Sequence, residues 1–168
     1  AIYAKYIENV TFADQTLNEE YNVGVQTIKV NAASGGIGSY TYSKKSGESD
    51  ITVSSNGNIT IPAGKAVGTY TIVVTATSGT LMTDATYTIV INKVAAEITC
   101  QNKDYTGSAQ TIATCAGGTI NNAAQTNAGD YVVTCTGDSN HTDATSKTCK
   151  INKVKAQITC QNKDYNGS

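Results

Sequence analysis

The chain has 168 residues, room for one large domain or two small ones. Its net charge is −1 and it has no Arg, so it lacks the basic patch of a nucleic-acid binder and the commonest base-reading side chain. No apolar run approaches the ~18 residues of a membrane span, so no membrane insertion is expected in this stretch. Twenty-six Thr and ten Tyr, with Val and Ile, outweigh Leu, Met and Gln; this composition reads as all-β.

In chain order, residues 1–12 read as an extended, Tyr-containing N-terminal segment, and 13–93 as a first module. Ser34-Gly35-Gly36-Ile37-Gly38 reads as a loop, followed by a strand through Tyr40-Thr41-Tyr42. Ile51-Thr52-Val53 and Ile59-Thr60-Ile61 flank Ser55-Asn56-Gly57-Asn58, and Asn-Gly is the strongest short hairpin signal. From Thr69 to Thr77, Tyr70, Ile72, Val74 and Ala76 alternate with residues that are mostly Thr, the pattern of a half-buried strand. Thr77-Ser78-Gly79-Thr80 reads as a loop, and Ala85–Lys93 as a second alternating strand with Tyr87, Ile89 and Ile91 inward. Regularly punctuated strands of this kind make a sandwich.

Beyond residue 93 the informative feature is repetition. Residues 91–108 read INKVAAEITCQNKDYTGS and residues 151–168 read INKVKAQITCQNKDYNGS, differing only at Ala95/Lys155, Glu97/Gln157 and Thr106/Asn166. The expected organisation is a full module over 94–153 and the opening of a further repeat over 154–168. A chain starting at Ala1 and stopping inside a repeat reads as a processed or excised piece of a longer array. The joint Lys93-Val94-Ala95-Ala96 has no Gly or Pro, so the expectation is an extended rod.

Two resemblances follow. Tyr40-Thr41-Tyr42-Ser43, Ile51-Thr52-Val53, Asn56-Gly57-Asn58-Ile59-Thr60 and Ala66-Val67-Gly68-Thr69-Tyr70-Thr71-Ile72 resemble, in order, the Ig-like, cadherin-like repeats of bacterial surface proteins. The junction Ile91-Asn92-Lys93-Val94 lacks the acidic calcium motif of true cadherin repeats, so calcium-stiffened joints are not implied. Asp104-Tyr105-Thr106-Gly107-Ser108-Ala109-Gln110, then Asn127-Ala128-Gly129-Asp130-Tyr131-Val132-Val133 and Ile151-Asn152-Lys153, resemble the MBG-type Ig-like repeat of mucin-binding surface glycoproteins. Its cysteines depart from that family's pattern. Together the resemblances imply an all-β fold of tandem Ig-like sandwiches, and mucin or other host glycans as the family's partners. The residues read the same way without the family: Gly107 and Gly129 punctuate turns, and Tyr131, Val133 and Cys135 share one strand face.

The full module holds Cys100, Cys115, Cys135 and Cys149, a disulfide-scaffold density for a domain too small to bury a large core. Of three connectivities, Cys100–Cys115 with Cys135–Cys149 is favoured because each pair flanks a turn-like segment. A link between first and last strands is the rival. Cys160 repeats Cys100, and its partner is expected in the next repeat. Zinc sites use close Cys pairs, unlike these spacings, so disulfides and an oxidising, extracellular, cell-surface setting are expected.

No catalytic, cofactor or metal site is expected. The single histidine, His141, sits with Ser139, Asp138 and Asp143 in one polar loop, whereas a triad converges from separate elements. Asp138, Asn140 and Asp143 are oxygen donors for calcium only in part, lacking the fuller loop pattern. Gly36-Ile37-Gly38 lacks the third glycine and following helix of a dinucleotide loop. Asn9, Asn58, Asn140 and Asn166 lie in glycosylation sequons, and Lys5 with Asn92 is a conceivable isopeptide pair. The expected role is a non-catalytic extracellular repeat of a stalk or filament, its partners being neighbouring repeats or further copies reached through Ala1–Val10 at an open sheet edge. The alternative is an adhesin module binding mucin, glycan or another surface.

Overall fold

The computed structural model describes residues 7–160 and Gly167. It forms two compact units, one of Ala1–Ala95 with Asp138–Thr142, the other of Ala96–Gly137 with Asp143–Ser168. All regular structure among the described residues is β.

The strands of the first part of the chain are β1 (Glu8–Thr11), β2 (Gln15–Glu20), β3 (Gln26–Lys29), β4 (Ser34–Gly36), β5 (Thr41–Gly47), β6 (Thr52–Val53), β7 (Asn58–Ile61), β8 (Gly68–Ser78) and β9 (Leu81–Asn92). One sheet has the order β2-β9-β8-β5 and the other β3-β7-β6. The inward residues of β8 and β9 meet those of β7: Ile72, Val74, Tyr87, Ile89 and Ile91 pack with Ile51, Ile59 and Ile61 in one core. The alternation of Thr with aliphatic residues thus does what a half-buried strand requires, and the Thr side faces out. Gly57 adopts φ +81° in the hairpin between β6 and β7, which Asn-Gly marks in the sequence. Gly79, at φ +64°, closes the two-residue turn between β8 and β9.

Two departures from the sequence reading have local causes. Ser34-Gly35-Gly36 is not all loop: it forms β4, antiparallel to β1. Both glycines have positive φ, and a Cβ on Gly35 would lie 2.1 Å from the Asn9 carbonyl oxygen, so only glycine lets β1 approach. The segment ahead of the first module is used as well. Val10 of β1 is buried with Ala33 and Ala76, and Phe12 packs at a tilt against Tyr42 and Tyr87. Residues 1–6, including Lys5, lie outside the described residues. Finally β2, unmarked in the sequence because Leu17 is its only aliphatic residue, runs parallel to β9 along an edge.

From Val94 the chain forms β10 (Val94–Ala95), β11 (Glu97–Cys100), β12 (Lys103–Asp104), β13 (Gln110–Thr111), β14 (Ala113–Ala116), β15 (Gly118–Asn121), β16 (Ala124–Gln125), β17 (Gly129–Gly137), β18 (His141–Thr142) and β19 (Lys147–Asn152). In the second unit the order β12-β19-β17-β15 repeats the first unit's β2-β9-β8-β5, again with the first strand parallel to the last. Antiparallel β11 and β14 contribute Ile98 and Ala113 to a core shared with Val133, Cys135, Cys149 and Ile151. Sheets so ordered, with inward-facing alternation, are the Ig-like sandwich.

The four cysteines form Cys100–Cys149 and Cys115–Cys135, with Cα separations of 5.3 and 6.2 Å. The pairing Cys100–Cys115 with Cys135–Cys149 is therefore corrected, and the link between first and last strands is realised in Cys100–Cys149. The register explains it. Cys115 stands opposite Ile98 and Cys100 opposite Ala113, so these two thiols share a face of one strand pair and both point across to the other sheet. Cys149 stands opposite Tyr131, four residues from Cys135 along β17. Each bridge consequently ties β11 or β14 to β19 or β17.

Candidate functional site

The polar loop that carries the only histidine is part of the first unit, at the end of its sheet. Three features of the sandwich prepare that end. Parallel pairing of β2 with β9 brings Tyr21 past the last strand, where its N–H donates to the Asn92 carbonyl at 2.9 Å. At the start of β8 the Tyr70 hydroxyl donates to the Ala66 carbonyl at 2.8 Å, fixing the corner and leaving the Val67 N–H pointing outward. Beyond β9, Lys93 leads into β10, which begins at Val94.

Asp138–Thr142 meets all three. Asn140 Oδ1 accepts from the Val67 N–H at 3.0 Å, and the Asn140 carbonyl accepts from the Val94 N–H at 3.3 Å. Lys93 Nζ donates to the carbonyls of Asp138 and His141 at 3.3 and 3.4 Å. β10 and β18 pair in parallel, Val94 opposite His141. The His141 ring stands edge-on to Tyr21, with centroids 5.2 Å apart. The loop is shaped from within: Asp138 Oδ1 accepts from the Asn140 N–H at 2.8 Å and lies 2.7 Å from His141 Nδ1. The His141 bond, then the Asn140 N–H, hold the Asp138 carboxyl below its usual range.

This settles where the sequence candidates lie. His141 is half-buried against an aromatic ring, and its Asp138 partner comes from the same loop. The oxygens considered for calcium serve separate N–H donors: Asp138 as above, Asn140 on Val67, and Asp143 on the Gly137 N–H at 2.9 Å. Among the described residues no group of His, Cys, Asp and Glu is arranged to hold a metal ion. Of the sequons, Asn9 is exposed on β1 and Asn58 half-buried on β7, while Asn140 has its side chain engaged and Asn166 lies outside the described residues. Asn92 donates to the Glu19 carbonyl at 3.3 Å; Lys5 is not among the described residues. The N–H groups of Ile37 and Gly38 are taken by Ser78 Oγ at 3.0 and 3.1 Å.

A second polar cluster went unread in the sequence. Lys65 Nζ lies 2.8 Å from Asp50 Oδ1, 3.1 Å from Glu48 Oε1 and 4.1 Å above the centre of the Tyr70 ring. Partial burial works against the charged ammonium, but the two carboxylates outweigh it and the Lys65 pKa rises. The Lys65 hydrogen bond holds the Asp50 carboxyl below its usual range. A carboxylate whose folded pKa is depressed contributes stability above its unfolded pKa and loses it as pH falls through the folded value. Asp50 is 46% exposed, so the contribution at neutral pH is under ~1 kcal/mol. The stability difference between the native chain and Lys65→Met, measured by urea unfolding, is expected to shrink as pH falls below about 4.

The signal for the first cluster was a recurrence of spacing. Tyr21 precedes Gln26 as Tyr105 precedes Gln110, Gly68-Thr69-Tyr70 matches Gly129-Asp130-Tyr131, and Asn92-Lys93-Val94 matches Asn152-Lys153-Val154. The hydrogen bonds match too. Gln26 and Gln110 donate through Nε2 to the carbonyls of Glu20 and Asp104, at 3.2 and 3.0 Å. In the second unit the Tyr105 N–H donates to Asn152 at 3.0 Å, and the Tyr131 hydroxyl to the Asn127 carbonyl at 2.7 Å.

No protein-family model and no curated protein matches the chain. Among solved structures it is similar to a SusE-like surface-located polysaccharide-binding protein from the Bacteroides thetaiotaomicron heparin utilisation locus, at 14% identity over 88% of this chain and 34% of that one, with TM-score 0.42. It is similar to the extracellular cadherin domains 1–5 of protocadherin gamma B2, at 13% identity over 88% of this chain and 40% of that one, TM-score 0.41. An endo-fucoidan hydrolase of glycoside hydrolase family 107 matches at 14% identity over 88% of this chain and 29% of that one, TM-score 0.43. The chain thus spans about a third of the length of these structures.

Proposed function

We propose that this chain is a non-catalytic, extracellular repeat of a cell-surface stalk or filament, made of Ig-like modules over 13–93 and 94–153, the second of MBG type, with 154–168 opening a further one. The observation that carries this reading is the recurrence of one module end. The same Tyr, Gln, Gly-x-Tyr and last-strand Asn positions make the same hydrogen bonds in both units, and residues 151–168 restate 91–108. A repeated end of this kind serves a chain that adds units one after another.

The chemistry of the second unit agrees with an oxidising setting. Its core contains two disulfides in place of part of the aliphatic packing that supports the first. Cys160, exposed and free, occupies the position of the bridged Cys100 in the repeated sequence and is assigned a partner in the following module.

Electron microscopy of the native protein tests the proposal: regularly beaded rods or fibres are expected, and scattered globular particles would overturn it. A glycan array probed with the whole chain separates the spacer role from an adhesin role. Selective binding to one glycan class would replace the former by the latter.

A further inference from the structure

In the second unit, the groove lined by Tyr105, Asn127, Ala128, Lys153 and Val154 is open. Tyr105 is 40% exposed and Val154 52% exposed. Position by position it is the counterpart of the end of the first unit. Gly129 stands opposite Ile151 on the last strand as Gly68 stands opposite Ile91, so Ala128 corresponds to Val67. Tyr105 binds Asn152 as Tyr21 binds Asn92. Tyr131 closes on the Asn127 carbonyl as Tyr70 closes on Ala66. Lys153 and Val154 restate Lys93 and Val94 in the 18-residue repeat.

In the first unit this arrangement holds Asp138–Thr142. The Val67 and Val94 N–H groups both donate to Asn140, the Lys93 ammonium meets two loop carbonyls, and Tyr21 meets the His141 ring edge. From this correspondence we infer that the second unit's groove is a docking site for a loop of the same chemistry, Asp-Ser-Asn-His-Thr or a close variant, carried by a further module of this repeat. The Ala128 N–H takes the loop's Asn side-chain oxygen and the Val154 N–H its Asn carbonyl. Lys153 reaches two loop carbonyls, and Tyr105 receives the imidazole edge. The occupant comes already shaped, because the Asp carboxylate within such a loop turns the following Asn N–H and imidazole inward, as Asp138 does for Asn140 and His141. The inference rests on the spacer reading above and names the contact by which one module receives the next.

The test uses the full chain lengthened so that the sequence of 94–153 runs a second time after Lys153, compared with the chain as it stands. Amide hydrogen exchange at Ala128 and Val154 is the readout, with Val67 and Val94 as internal references. In the lengthened chain, exchange at Ala128 and Val154 is expected to slow at least tenfold, toward the references. Replacing the added loop's counterpart of Asn140 by Ala should restore fast exchange at both positions while the added disulfides still form. If the added module folds and forms its disulfides but the two amides exchange as fast as before, docking is overturned and the repeat reading survives. If the added residues do not fold, the repeat reading falls and docking with it. Slowing of the same amides in the shorter chain on addition of a polysaccharide would give the groove to a glycan and overturn docking by a loop.

Discussion

Replacing Cys100 and Cys149 together by Ala is expected to cost the second unit about 4 kcal/mol, against about 3 kcal/mol for Cys115 and Cys135, because the first bridge spans 49 residues and the second 20. Ala is chosen over Ser because Cys149 and Cys135 are 0% and 2% exposed, and a buried hydroxyl without a partner would add its own penalty. A domain of this size loses roughly 4–8 °C of melting temperature per kcal/mol. The first pair should therefore lower the second unit's transition by roughly 15–30 °C in scanning calorimetry. The two pairs differ in loop length but both join opposite sheets, so the order of the two effects is the informative result. A larger loss from the shorter loop would show that packing around Cys135, rather than closure of the chain, sets the contribution of the bridges.

The first unit contains no disulfide and relies on its aliphatic and aromatic core. Tyr87 is central to it. Its side chain is fully buried, the ring lies 5.7 Å from Phe12, and the hydroxyl accepts the Asn31 N–H at 3.2 Å. Tyr87→Ala is expected to cost about 3–5 kcal/mol by opening a cavity among Ile72, Ile89 and their neighbours. Tyr87→Phe, which keeps the ring and loses only the hydrogen bond, should cost about 1 kcal/mol. Denaturant unfolding of both variants checks the pair of values, and equal losses would mean that the hydroxyl, not the ring, supports this core. Burial also pushes the Tyr87 phenol above its usual pKa. The unfolded chain then releases that proton first as pH rises, so the contribution to stability falls above about pH 10.

The long strands β8 and β9 were legible because each carries several inward aliphatic or aromatic residues in strict alternation, enough to set the period. The hairpin at Asn56-Gly57 was legible because a positive φ there admits few residues. The strands that escaped are those whose position is decided by their partners. Gln15–Glu20 has one aliphatic residue and lies along an edge. Ser34–Gly36 pairs only because two glycines let another backbone come close. The disulfide pairing escaped for a related reason. Turn spacing tells which strands are neighbours in a hairpin, whereas a bridge between sheets depends on which face each thiol takes.

The loop with His141 shows the same limit. Its polarity was plain, but its role depends on a corner tyrosine, an outward N–H and a lysine distant in sequence. Asn140 was noticed only as a sequon and as one oxygen of an incomplete calcium loop, although its side chain and carbonyl make the central contacts. What could have been read is the paired occurrence of Gly-x-Tyr and Asn-Lys-Val before each module ends.

The bridge from Cys100 in β11 to Cys149 in β19 bears on how the chain would respond to tension. A pull entering near Ala96 and leaving near Ile151 passes from one sulfur to the other, and the chain between the two cysteines stays slack even if every strand in it is torn apart. About 170 Å of potential extension, at ~3.5 Å per residue, is locked away until a reductant cuts the bridge. The first unit has no such shortcut, so in a single chain it is the part that would yield and lengthen, while its neighbour kept its contour almost unchanged.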